Sequence, residues 1–223
     1  MPTSKTRRRP LRFRIEDVEL CLSNAERLLQ DAQKVSEATA VALTELSLEE
    51  ALKGWVIYVH RSDGQRDAPR AISPIHTRIS QYIVDNIGLV KRIDPRKAFI
   101  DHRPKLDALR FVAGLIRVSL ESVPPEQMAA GTAQVFGPGI SMAGLIDKQT
   151  IAQMAKIVDV VRESEARKLS DFKERGFYVN LTRRGQLVTP DALVLPNSKI
   201  LGLYVAMVIT LLKGTVMGTV GPG

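Results

Sequence analysis

Two apolar stripes in tandem, with only a few polar residues between them, constrain this chain more than any other feature. Ile15, Val18, Leu22, Ala25, Leu29 and Ala32 recur three and four residues apart, which is the period of one face of an amphipathic helix. Ala38, Val41, Leu48, Leu52, Trp55 and Val59 mark a second helix from about Ala38 to His60. A short break between two such stripes predicts a helical hairpin, closed after Trp55 by turn residues at Ser62-Asp63-Gly64 and Ala68-Pro69. In the second stripe Glu45 takes the slot between Val41 and Leu48, which places a carboxylate on the core side.

The helical pattern continues. Ile75, Ile79, Tyr82, Ile83, Ile87 and Val90 predict a third helix, and Leu106, Leu109, Ala113, Ile116 and Leu120 a fourth. Pro104 suits the first turn of that fourth helix, where its missing N–H costs nothing. Pro124-Pro125 and Phe136-Gly137-Pro138-Gly139 mark residues 121–147 as an irregular connection. A fifth helix is expected from near Lys148, with Ile151, Met154, Val158 and Val161 inward. Phe177, Val179 and Leu181 alternate ahead of Arg183-Arg184-Gly185, and Leu187-Val188 follow, so a small hairpin or extended segment is expected near 176–190. From Ile200 to Leu212 there is no charge. A spanning helix needs about 20 apolar residues, and this run reaches that length only by taking in Lys213, Gly214 and Gly218. A terminal helix buried on the domain is therefore expected in preference to a membrane anchor. The resulting division is a basic flexible arm at 1–14, a helical domain at 15–195 and an apolar C-terminal helix at 196–223.

Composition narrows the class. With 223 residues, 44% of them hydrophobic, the chain can bury one sizeable core. Its single cysteine, Cys21, leaves no internal disulfide framework and no zinc cluster, which suits a reducing cytoplasm. Charge interrupts Leu11-Arg12-Phe13-Arg14, so the arginines there are not followed by the apolar run of a secretory signal. The net charge of +8 is concentrated in two places. Residues 1–14 carry Lys5, Arg7, Arg8, Arg9, Arg12 and Arg14 without an acid, and residues 91–110 carry seven basic against three acidic side chains. Localised positive charge is what a polyanion partner requires, because each neutralised phosphate releases condensed counterions.

Several side chains could carry chemistry. On a helix Glu49 and Lys53 lie four apart with the acid first, and Glu50 lies three from the same lysine, an arrangement that would ordinarily be a surface ion pair. The run Asp101-His102-Arg103-Pro104-Lys105 adds a histidine among basic and acidic neighbours. His60 suits the carbonyl end of its helix, and Trp55 belongs to the core stripe. A P-loop, a paired-histidine metal site and a Ser-His-Asp spacing are not found, and no cofactor or metal is expected.

The acidic pair and lysine on the second helix, followed by Asp101-His102-Arg103-Pro104-Lys105-Leu106 and then Gly176-Phe177-Tyr178-Val179-Asn180, resembles the bacterial abortive-infection AbiV family over roughly residues 18–195. The Glu-x-x-x-Lys element is similar to that of the wider HEPN superfamily of small helical domains, many of which are metal-independent ribonucleases in toxin and antiviral systems. The resemblance implies an all-α, HEPN-like helical bundle, and a homodimer is expected because an exposed apolar helical face in a protein of this size is commonly buried against a second copy. The resemblance also implies an antiphage effector that arrests growth or translation, acting on RNA or the ribosome when a phage-encoded activator triggers it.

For the site, the resemblance singles out Glu49, Glu50, Lys53 and Asp101 as supporting residues and Arg103 and Lys105 as phosphate ligands, and the basic run of 91–110 adds Lys91 and Arg92 as RNA or phosphate ligands. HEPN nucleases are similar to one another in an arginine followed, after four to six intervening residues, by a histidine. Arg96 with His102 meets that spacing, and so does Arg70 with His76. Arginine can hold a phosphate bidentately, and a histidine titrating near neutrality can move a proton at a ribose oxygen. In HEPN nucleases the motif usually lies on a late helix, and no histidine follows His102 here. Binding without cleavage therefore stands beside catalysis by Arg96 and His102. A membrane-associated effector using the C-terminal apolar segment is the third class. Asn180 occupies a position where the family pattern often has an acid.

Overall fold

The computed structural model describes residues 12–61, 74–101, 103–122, 180–181, 187–188 and 198–219. Among them the chain is all-α, with six helices and one two-residue strand pair. The first two helices are α1 (Ile15–Ala32) and α2 (Glu37–His60), which form the expected hairpin and pack along their lengths. Every residue of the first stripe except Ile15 is buried, and Trp55 and Val41 are fully enclosed in the second. Ser47 ties the two helices together by donating its hydroxyl to the Ala25 carbonyl at 2.7 Å inside the core. At the start of α1 the Arg14 backbone N–H donates to the Asp17 carboxylate at 2.8 Å, and the Asp17 N–H donates back to the Arg14 carbonyl at 3.2 Å. That reciprocal cap sets the direction in which residues 12–14 enter the helix.

Helices α3 (Pro74–Lys91) and α5 (Arg103–Ser122) pack on each other and against α2. Between them lies a short helix that the apolar periodicity does not reveal, α4 (Pro95–Ile100). Its signal is local: Asp94 accepts from the Arg96 N–H at 3.0 Å as N-cap, and Pro95 occupies the first helical position. Asp101 ends α4 in an extended conformation, its N–H donating to the Lys97 carbonyl at 2.8 Å. The chain then re-enters a helix at Arg103, with Pro104 in the first turn as expected.

The last helix, α6 (Ser198–Thr219), is long and apolar enough to cross a membrane, but Leu201–Ile209 are buried, and the helix packs mainly on α2 and α1. Glu37 at the start of α2 accepts from both the backbone N–H and the hydroxyl of Ser198, at 2.8 and 2.7 Å, and Lys213 pairs with Glu26 of α1 near the other end. The expected terminal helix packed on the domain is thus part of the central core. Strands β1 (Asn180–Leu181) and β2 (Leu187–Val188) pair antiparallel, Asn180 opposite Val188 and Leu181 opposite Leu187, which matches the extended segment expected near 176–190. The expected connection after residue 122 and the fifth helix near Lys148 lie outside the described residues, as do residues 1–11 of the basic arm.

Core packing relies on a close approach at one glycine of α5. A Cβ on Gly114 of α5 would stand 1.9 Å from the Tyr82 hydroxyl oxygen, so only glycine lets Tyr82 of α3 lie across α5 and donate to the Phe111 carbonyl at 3.0 Å. Trp55 meets Phe111 edge to face with ring centroids 5.6 Å apart, in the geometry aromatic pairs prefer. These contacts fix the orientation of α5 against α2, and with it the position of Lys105.

Candidate functional site

The two sequence motifs meet at one place. Lys105, in the first turns of α5, donates through Nζ to Glu49 Oε2 on α2 at 2.9 Å, and the two side chains are only 9% and 14% exposed. The expectation of a surface ion pair between Glu49 and Lys53 is corrected here: Lys53 pairs with Glu50 instead, in a partly buried contact, while Glu49 turns to α5. The reason is register. Glu49 faces α5 across the hairpin, so its nearest cation comes from another helix, whereas Glu50 shares an edge of α2 with Lys53.

Lys105 was grouped with the phosphate ligands on the resemblance, yet the whole residue is 8% exposed and its ammonium is held by Glu49. Its geometry is that of an anchor for the start of α5. Glu45 lies one turn before Glu49 and is buried, as its slot in the apolar stripe indicated. Lys53 also stands over the Phe99 ring of α4, with Nζ 5.8 Å from the centroid, so the acidic edge of α2 is bracketed by α4 and α5. Cys21 of α1 faces the same edge: burial pushes its thiol up to about 11, Glu50 adds to that and Lys53 opposes it. Protonated at neutral pH and 7% exposed, it is a packing residue.

The remaining expected residues cluster at the corner between α3 and α4. Lys91 ends α3, Arg92 follows it, and both are exposed. Arg96 sits half-buried in the first turn of α4 and Asp101 is exposed at its end. Lys97, exposed between them, was not singled out from sequence, although its place in the basic run was visible. Arg96 and the start of α5 belong to different helices with the extended Asp101 between them. His102, the side chain of Arg103, Arg70 and the side chain of His76 lie outside the described residues. His60 does what its position suggested: its Nδ1 is 2.9 Å from the Val56 carbonyl, at the end of α2. Among the described residues no group of three or more His, Cys, Asp or Glu side chains is arranged to hold a metal ion.

The AbiV family model, HEPN_AbiV, matches residues 15–200, which span the α1–α2 hairpin, both motifs and the start of α6. The chain belongs to the AbiV family. It is therefore an abortive-infection, HEPN-type defence protein. No curated protein and no solved structure matches it. In family terms, the Glu49–Lys105 pair joins the Glu-Glu-x-x-Lys cluster of α2 to the Asp-His-Arg-Pro-Lys run that opens α5.

Proposed function

We propose that this AbiV-family protein arrests growth or translation by binding RNA, or the RNA of the translation machinery, through the basic corner between α3 and α4. A phage-encoded component is the trigger in this reading, and the protein acts in the cytoplasm as a homodimer. The observation that supports it is the exposure of Lys91, Arg92 and Lys97 together, with no ion-pair partner for any of them among the described residues. On α1 and α5, by contrast, several cations are matched with acids: Arg110 with Asp107, Arg117 with Glu121, Arg27 with Asp31. Unmatched surface cations beside a family motif suit phosphates, whose binding releases counterions.

Replacing Lys91 and Arg92 together by glutamate tests this. RNA affinity should fall and the slope of log affinity against log salt should flatten by about one to two. An unchanged slope would sink the reading.

Metal-independent cleavage is the second reading, favoured by the position of Arg96 in the same corner, one short helix ahead of the run that contains His102. Arginine would hold the phosphate and histidine would move the proton. Purified protein and its His102→Ala variant, incubated with total cellular RNA in EDTA, separate the two: cutting by the wild type alone assigns an enzyme. A membrane-associated effector would need α6 to leave the core in which Leu201–Ile209 are buried, and full recovery in the soluble fraction without detergent counts against it.

A further inference from the structure

We propose that Phe13 and Phe99 join residues 12–14 to the α3–α4 corner as one surface, and that this surface holds an unpaired RNA strand by base contact with Phe99 and Ile100. The inference rests on the RNA-binding reading above and goes beyond it in naming the form of the RNA and the residues that select it.

The end of the first positive region and the second are separated by some eighty residues of chain, yet they meet through one ring pair. Phe13 stacks on Phe99 with centroids 6.2 Å apart and planes 15° from parallel. The reciprocal Arg14–Asp17 cap fixes the direction of the chain just before α1, so Arg12 and Arg14, both exposed, are held at the α4 side of the molecule. Lys97, two residues ahead of Phe99 on the same short helix, is exposed as well. Cations near an aromatic are the combination single-strand binders use: the charges follow the backbone, and the half of Phe99 left exposed beside its contacts with Phe13 and Lys53 receives a base.

The apolar part is exposed where a helix would normally bury it. Phe99 is 48% exposed and Ile100 87%, at the end of a six-residue helix whose buried contact with the core comes from Ala98. Two such side chains side by side give an apolar partner a place to sit. In a duplex the base faces are stacked on one another and unavailable, whereas unpaired bases can be splayed onto side chains. A lipid surface fits less well. Membrane-lying helices present a long apolar face, while here only Phe99 and Ile100 are exposed, at the end of a six-residue helix.

The test uses the full-length protein with a short labelled single-stranded RNA and with the same RNA annealed to its complement. The variants are Phe99→Ala, Phe99→Leu and Phe99→Tyr. Leucine keeps apolar bulk without a π face, and tyrosine keeps the ring. Stacking of one base on an aromatic is worth at least about a fivefold change in affinity. Phe99→Ala and Phe99→Leu should therefore weaken single-strand binding at least about fivefold and leave duplex binding unchanged, with Phe99→Tyr close to wild type. Equal losses on both forms, or no loss in Phe99→Leu with its fold intact, would overturn the proposal while leaving the salt-slope test of the RNA reading untouched. A wild type that binds neither form overturns both. Loss of binding to phosphatidylserine vesicles in Phe99→Leu, with RNA binding unchanged, would overturn it in favour of a lipid surface.

Discussion

Lys105 of α5 and Glu49 of α2, fifty-six residues apart in sequence, form an ion pair of 2.9 Å in which both side chains are largely buried. Such a pair contributes little net stability over well-packed apolar groups, but removing one partner leaves the other charge stranded. Glu49→Ala or Lys105→Ala should each cost about 2 kcal/mol, the residual exposure of both groups keeping the loss below that of a fully enclosed pair. Replacing both by methionine should recover most of it. Urea denaturation of the four proteins gives the coupling directly, and additive losses would mean that the pair is not a unit.

How far the fold was legible follows from what kind of signal each part carries. The α1–α2 hairpin announced itself because Ile15 to Ala32 and Ala38 to Val59 repeat with helical period, and burial of Val18, Leu22, Val41 and Trp55 is what that period means. Helix α4 was missed because six residues are too few for a period; only Asp94-Pro95 marked it. The site was half legible. Which cation would satisfy Glu49 depends on how α5 crosses α2, a tertiary fact set by Trp55, Phe111, Tyr82 and Gly114. The Phe13–Phe99 stack was likewise invisible, since neither residue lies on an apolar stripe.

The fit of Tyr82 over Gly114 gives a second expectation. Gly114→Ala improves intrinsic helix propensity by about 1 kcal/mol, but its Cβ would overlap Tyr82 at the hydroxyl oxygen and the ring carbon bearing it, 1.9 and 2.6 Å away. Tyr82 must then swing out and release the Phe111 carbonyl. Overpacking of this kind costs about 1–3 kcal/mol, so the variant should melt lower than wild type. In a Tyr82→Ala background the same substitution should be neutral or stabilising. Thermal melts of the four proteins decide it.

Cys21 makes alkaline stability sensitive to one thiol. Its folded pKa is raised to about 11 from an ordinary 9.0, first by burial and then by Glu50. The unfolded chain therefore loses this proton at lower pH than the folded one. The contribution is fully present below pH 9 and is lost as pH rises from 9 towards 11, by up to about 2 kcal/mol. Cys21→Ala should be less stable at neutral pH, from the lost packing, but should show a shallower decline over that window. Identical slopes for the two proteins would refute the assignment. At pH 7.5 the native thiol should react with a thiol reagent only as fast as the core opens.

Tyr204 on α6 offers the last and least expected outcome. The side chain is fully buried, its hydroxyl has no hydrogen-bond partner among the described residues, and burial pushes its ionisation far above the usual phenol range. A tyrosine usually earns its place in a core by placing its O–H on an acceptor, and an unmatched buried hydroxyl costs about 1–3 kcal/mol. Tyr204→Phe removes the hydroxyl while keeping the ring that packs α6 against the hairpin. It should therefore stabilise the protein by about 1 kcal/mol, against the usual direction for a core substitution. Chemical denaturation of the two proteins reads this directly. A loss of 1 kcal/mol or more instead would mean that the hydroxyl is bonded in solution, with a buried water as the first candidate to look for.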